Sequence, residues 1–238
     1  MTIEVEVRPI DELAEATATR IAEGLRPALD ERGRAVLGLS GGLTPIPMFA
    51  ELAAMDLPWD RIDVVQVDER VAPDRDPERN LTAISSAFVE HGRLPASNLH
   101  AMDVTADDLD DAAARYSRTL DRLAPGLDGG PPVVDVMQLG IGPDGHTASL
   151  VAGDAVLDVV DRWVAVTGPY QGRRRLTLTY PALDAARSLV WMIEGADRAP
   201  QVARLVAGDV EIPAGRVEGG RAVVVSDPDA AAEIGERG

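Results

Sequence analysis

Short apolar runs rich in Val, Leu and Ile alternate along the chain with longer stretches in which apolar residues recur every three or four positions. The runs Ala35–Leu39, Ile62–Val67, Val133–Leu139, Trp163–Val166, Leu176–Thr179, Leu189–Ile193 and Ala222–Val225 have the length and β-branched content of buried strands. Between them, Leu13, Thr17, Ile21, Leu25 and Leu29 repeat every four residues, and Asp11 stands where that helix would be capped. Leu109, Ala113, Tyr116, Leu120 and Leu123 form a second helical stripe, for which Thr105 and Asp108 offer a capping box. Strands and helices in alternation predict βαβ units and an α/β fold with a mainly parallel sheet. The Pro/Gly-rich stretch Pro125–Pro132 is too short to separate two domains, so residues 1–238 are expected to form a single α/β domain.

Composition narrows the chemistry. Hydrophobic residues make up 45% of the chain but aromatics only 3%, so aliphatic side chains must do most of the packing, as suits a sheet covered on both faces. Cysteine is absent, which removes disulfides, thiolate nucleophiles and Cys-ligated metal. All 23 basic residues are Arg, which excludes Schiff-base chemistry and a phosphate lysine of the Walker type. The three histidines, His91, His100 and His146, are too few for a His-rich metal centre. No metal and no cofactor are expected. The net charge of −17 argues against nucleic acid and against an anionic membrane surface as partners. An anionic substrate would have to be captured by a local arginine cluster. The N-terminus lacks a basic stretch followed by an apolar run, and no segment approaches the roughly 18 apolar residues of a membrane span. A cytoplasmic protein, monomeric or a small homo-oligomer, is the expectation.

Three polar segments follow directly after predicted strands: Ser40-Gly41-Gly42-Leu43-Thr44-Pro45, Asp68-Glu69-Arg70 and Gly140-Ile141-Gly142-Pro143-Asp144-Gly145-His146. Ligands of open α/β sheets bind beyond the carboxyl ends of the strands, so three such loops converge on one crevice. In the first, glycine lets backbone N–H groups approach a ligand, while Thr44 is placed to cap a helix opening with Pro45, a start that favours phosphate. In the second, position matters more than composition, because Asp30-Glu31-Arg32 repeats the tripeptide at the end of a helix, where solvent is expected. Asn80, at the start of the next helix, can reach back to it. In the third, His146 lies on a glycine-framed loop beside Asp144, and an imidazole suits removal of a proton from water near neutral pH. His91 and His100 lack such framing and read as surface residues; Ser149 reads as a cap or packing hydroxyl. Gly140 to Gly145 also imitates a dinucleotide fingerprint, but Pro143 removes a donor from the turn that would cradle pyrophosphate. Positive charge for the crevice is sought in Arg173-Arg174-Arg175, with Arg174 or Arg175 turned inward, and in Arg198.

These residues together resemble a known family. Gly41-Gly42-Leu-Thr44-Pro45, Asp68-Glu69-Arg70-Val-Ala-Pro73 with Asn80, Gly140-Ile-Gly142-Pro143-Asp144-Gly145-His146-Thr-Ala-Ser149-Leu150, Arg175-Leu-Thr-Leu-Thr-Tyr-Pro181 and Ile212-Pro213-Ala-Gly-Arg216 occur in the order and spacing of 6-phosphogluconolactonases. The resemblance spans nearly the whole chain. It implies a Rossmann-like sheet flanked by helices, shared with glucosamine-6-phosphate deaminases, and hydrolysis of a sugar phosphate lactone, 6-phospho-D-glucono-1,5-lactone, in the oxidative pentose phosphate pathway. It also implies that His146 is the catalytic histidine, Arg70 the motif arginine, and Gly41, Gly42 and Thr44 the phosphate loop. Two departures stand out. Val151-Ala152-Gly153 replaces the family's Phe-Pro, and Arg198 replaces a frequent lysine.

The reaction expected on this basis holds the phosphate on residues 40–45 with one or two arginines, while His146 activates water, Asp144 supports the imidazole and Arg70 meets the developing oxyanion. Ser40, Asp68, Asn80, Gly142, Arg174, Arg175 and Arg198 complete the expected binding set. Two other readings are weighed. An amino-sugar-phosphate deaminase or isomerase on the same fold would carry Ile-Ala-Phe-Asn-Glu after the histidine, where this chain has Thr147-Ala148-Ser149-Leu150-Val151. A non-catalytic sugar-phosphate-binding module would need an output element, and neither a DNA-binding helix pair nor a basic patch is present.

Overall fold

The computed structural model describes residues 3–235. Its main sheet contains β1 (Ile3–Val7), β2 (Ala35–Leu39), β3 (Ile62–Gln66), β5 (Leu99–His100), β6 (Val136–Leu139), β9 (Ser188–Ile193) and β10 (Arg221–Ser226). They lie in the order β1-β10-β9-β6-β2-β3-β5 and every pair is parallel. The helices are α1 (Leu13–Arg32), α2 (Ile46–Ala54), α3 (Asn80–Ile84), α4 (Leu109–Leu123), α5 (Tyr180–Asp184) and α6 (Ala199–Ala207). Successive strand residues alternate between two cores. Leu37, Val64, Val136 and Val190 pack with Leu13, Ile21, Leu25, Phe49 and Phe88 on one face, while Val36, Val65, Met137 and Trp191 pack with Tyr116, Leu120, Val202 and Leu205 on the other. Burial on both faces explains why these strands read as continuous apolar runs. No helix among the described residues is long and apolar enough to cross a membrane.

The structure adjusts several expectations. Trp163–Val166 and Leu176–Thr179 do form strands, β7 (Val164–Val166) and β8 (Arg175–Leu178), but in a separate antiparallel sheet with β4 (Asp68–Arg70). Val67 is the crossing point: its N–H donates to Leu39 of the main sheet and its carbonyl accepts from Leu178 of the small one. The acidic N-terminal segment is also a strand, β1, whose Glu4 and Glu6 both accept from Arg20 of α1 at 2.6 Å. Burial works to raise the Glu6 carboxyl, yet Arg8 and Arg20 outweigh it and hold it below its ordinary value. Asp11 caps nothing; α1 starts after Glu12 with no side-chain cap. Asp108 alone caps α4, accepting from the N–H groups of Asp110 and Asp111, while Thr105 bonds to Asp103. His91 is exposed as expected, but His100 is partly buried and its Nε2 lies 2.9 Å from Asp63.

Glu69 holds the short β4 against the rest. It is fully buried, and its two oxygens accept from the N–H groups of Arg70, Asn80 and Leu81 at 2.8 Å, from Gln66 at 2.9 Å and from Arg79 at 3.5 Å. Replacing it strands these donors in the interior. Glu69→Ala is therefore expected to lower unfolding free energy by about 3–5 kcal/mol, read from urea denaturation at neutral pH.

Candidate active site

The strand order reverses between β2 and β6. From β2 the chain steps to β3 and β5 on one side, and from β6 it steps to β9 and β10 on the other. Such a switch point opens a crevice beyond the strand ends. A cleft of about 260 Å³ lies there, lined by residues 40–45, Asp68, Arg70, Gly140–Pro143, His146, Gln171, Arg175 and Arg198 among others. The three loops singled out in the sequence thus meet in one place. A larger concavity of about 440 Å³ beside α1 is walled by Glu6, Glu12, Glu15 and Glu23, and its Arg8 and Arg20 are both paired with Glu6.

His146 stands on a turn that glycines make possible. Gly142 N–H donates to the His146 carbonyl at 2.9 Å, and Gly145, with φ of 83°, donates back to Gly142. A Cβ on Gly142 would lie 2.2 Å from the imidazole and 2.7 Å from Asp144 Oδ1, so the ring can sit here only over a glycine. Nδ1 of His146 is 2.5 Å from Asp144 Oδ1. Burial tends to raise the Asp144 carboxyl, but the hydrogen bond and charge of His146, with a bond from the Tyr170 hydroxyl at 3.0 Å, hold it below its ordinary value. Asp144 is accordingly a carboxylate near neutrality, and a carboxylate only accepts. The shared proton therefore belongs to Nδ1, which leaves Nε2 as the basic nitrogen.

The glycine loop is held from behind. Ser40 N–H donates to Gln138 Oε1 at 3.2 Å, and Gly42 takes a φ of 100°. Asn80 is buried beneath this loop: a Cβ on Gly41 would fall 1.9 Å from Asn80 Oδ1, while its Nδ2 donates to the Asp68 carbonyl and carboxylate at 2.8 and 2.9 Å. Asn80 thus supports the loop and does not line the cleft. Thr44 does not cap α2, whose first flanking residue is Pro45; its hydroxyl donates to Glu194 at 3.0 Å. The buried Asp68 also accepts from Ser149 at 2.5 Å, so Ser149 ties the histidine loop to β4 and is no mere packing hydroxyl.

Of the three consecutive arginines, Arg175 turns inward and is buried, Arg174 is exposed outside the cleft, and Arg173 pairs with Asp76 and Glu78. Strand alternation explains the split: Arg175 is the first residue of β8, opposite Arg70 in the ladder. Burial draws the Arg175 pKa down and Arg70 adds to this, against the pull of Asp68. Nε of both Arg70 and Arg175 is buried without a hydrogen-bond partner among the described residues. The two adjacent guanidiniums place positive charge on one wall of the cleft. Arg198, on the far side, donates to the Glu194 carbonyl and to Asp197, both at 2.9 Å. Among the described residues no group of three or more His, Asp or Glu side chains is arranged to hold a metal ion.

Residues 9–225 match the family model for glucosamine-6-phosphate isomerases/6-phosphogluconolactonase. The chain belongs to this family. A 6-phosphogluconolactonase from Nostoc sp. is 38% identical over 77% of this chain and 76% of its own length. One from Streptomyces coelicolor is 34% identical over 93% of this chain and 90% of its own. The crystal structure of a 6-phosphogluconolactonase from Thermotoga maritima aligns with a TM-score of 0.83 at 26% identity, covering 94% of this chain and 99% of that one. A monomeric glucosamine-6-phosphate deaminase, at 22% identity and a TM-score of 0.83 over 97% of this chain and all of its own, shares the fold.

Within this family frame, the departure at Val151-Ala152-Gly153 is absorbed locally. Gly153 has a φ of 82° and Asp154 N–H closes a turn on Val151, while Leu150 stays fully buried. Sequence reasoning missed Tyr170, Gln171, Gln138 and Glu194. Gln138 and Gln171 line the cleft, while Tyr170 packs on His146 and Arg175 and Glu194 accepts from Thr44; none of the four sits in a glycine-rich motif. The tight fit over Gly142 is open to test. Gly142 needs no unusual φ, so Gly142→Ala disturbs chiefly the His146 and Asp144 side chains. A fall of about 10²-fold in kcat is expected, measured beside an unfolding curve that shows the protein still folded.

Proposed function

We propose that the chain hydrolyses 6-phospho-D-glucono-1,5-lactone to 6-phospho-D-gluconate, the lactone-opening step of the oxidative pentose phosphate pathway, with His146 as general base. The observation that carries this reading is a carboxylate-oriented imidazole opening into the same cleft as a glycine loop and three arginines. It is supported by relatives 34–38% identical that are named 6-phosphogluconolactonase.

The substrate phosphate lies on the loop of residues 40–45, with Arg175 and Arg198 as its cationic partners. This anchor sets the lactone carbonyl against His146. Nε2 removes a proton from water as the water oxygen attacks the carbonyl carbon, and Arg70 meets the charge that gathers on the carbonyl oxygen. Asp144 stabilises the imidazolium that results. As the tetrahedral centre collapses, the bond to the ring oxygen breaks and that oxygen takes the proton back from Nε2. The acid released ionises in solution. A lactone is an activated ester, so this sequence runs without a covalent intermediate.

Freshly generated lactone in an assay coupled to oxidation of the product, with spontaneous opening subtracted, tests the activity. His146→Asn is expected to lower kcat by about 10²–10⁴-fold, and unchanged turnover would eliminate the general-base role. Arg198→Ala is expected to raise KM by about 10-fold or more while changing kcat less, as loss of a charge-assisted phosphate contact would. Release of ammonia from glucosamine 6-phosphate would instead favour a deaminase.

A further inference from the structure

Tyr170 lies at the base of a hairpin turn between β7 and β8. Its N–H and carbonyl pair with Arg173 at 2.9 and 3.2 Å, and the two residues between them, Gln171 and Gly172, both have positive φ, 51° and 78°. That is the conformation of a tight two-residue hairpin, which gives Tyr170 a defined place although it lies at the surface. Four contacts radiate from its side chain, one of them a 3.4 Å hydrogen bond that its hydroxyl accepts from Gln171 Nε2. The hydroxyl donates to Asp144 Oδ2 at 3.0 Å, while His146 Nδ1 occupies Oδ1 of the same carboxylate. The ring meets the imidazole edge-on, with centroids 5.4 Å apart and planes at 62°. The Arg175 guanidinium carbon lies over the ring, 5.0 Å from its centroid.

A carboxylate held at one oxygen can swing about its Cα–Cβ and Cβ–Cγ bonds. Held at both, it is locked in one plane, and the imidazole it grips is locked with it. Burial and the Asp144 carboxylate both push the Tyr170 pKa up, so the phenol keeps its proton and remains the donor in this bond. The ring face meanwhile supports Arg175, whose other contacts are long: Ser149 at 3.4 Å and Gln171 at 3.3 Å.

We propose that Tyr170 is a positioning residue that joins the two halves of the site, fixing the Asp144–His146 pair through its hydroxyl and the anion-binding Arg175 through its ring. This proposal rests on His146 being the base. It separates the two functions of the side chain, because Phe keeps the ring and loses the hydroxyl, whereas Leu loses both.

The test compares wild type, Tyr170→Phe, Tyr170→Leu and His146→Asn in steady-state lactonase kinetics, with the downfield proton resonance of the His146–Asp144 bond recorded by NMR and assigned by its loss in His146→Asn. For Tyr170→Phe the expected result is a kcat about 10-fold lower with KM within about threefold of wild type, and a displaced or broadened resonance. Tyr170→Leu should show the same fall in kcat and, in addition, a KM raised about fivefold or more as Arg175 loses its support. Thermal unfolding checks that each variant is folded. A Tyr170→Phe kcat within about threefold of wild type, or an unmoved resonance, overturns the proposal while an inactive His146→Asn leaves the base intact. A fully active His146→Asn overturns the base and the proposal together.

Discussion

Two adjacent carboxylates on a three-residue strand hold the working edge of this molecule together. Asp68 and Glu69 point to opposite sides of β4, and both are buried. Glu69 gathers the backbone at the start of α3 with the Gln66 and Arg79 side chains, while Asp68 gathers the hydroxyls of Ser40 and Ser149 and the amide of Asn80. Segments more than 80 residues apart in sequence, the glycine loop and the histidine loop, are thereby referred to one rigid point. Buried carboxylates are costly unless their lone pairs find donors, and Asp68 draws its donors from the glycine loop, the histidine loop and α3. The stability of β4 and the shape of the cleft are therefore the same problem.

The same tripeptide shows how much the sequence could and could not tell. Asp30-Glu31-Arg32 at the end of α1 is exposed, whereas in Asp68-Glu69-Arg70 both acids are buried. No local pattern separates the two; only the strand preceding Asp68 does. The main sheet was legible for a related reason, since strands buried on both faces are continuous apolar runs bounded by glycine and polar residues. The small sheet is not set apart by the sequence pattern, because β7 is apolar like the main-sheet strands and the alternation Leu176-Thr177-Leu178-Thr179 at β8 is only four residues long. The edge strand β1 escapes the pattern because two of its five residues are glutamate, both bonded to an arginine on a helix that no pattern connects to it.

At the site, the motif residues are legible, and of their supports Asn80 is foreseen reaching back to Asp68 while Tyr170 and Glu194 are not. His146, Asp144 and the glycines are close in sequence, so the spacing itself carried the geometry. Tyr170 reaches Asp144 across 26 positions and Glu194 reaches Thr44 across 150, contacts that only the folded chain creates. Capping assignments failed in a similar way. Thr44 has the right residue type, but α2 begins at Ile46 behind Pro45, so Thr44 stands one position too early and its hydroxyl donates to Glu194. Arg174 was a reasonable candidate until strand pleating gave the inward face to its neighbour.

The cationic wall of the cleft is built wholly of guanidinium groups. Such groups keep their charge at every pH a folded protein ordinarily meets. Ammonium groups in their place would begin to shed protons in alkaline solution and slacken their hold on an oxyanion. Here the attraction is a fixed background, contributed by a chain that otherwise repels anions with its surplus of acids. The grip on the ligand is therefore insensitive to the pH of the solution.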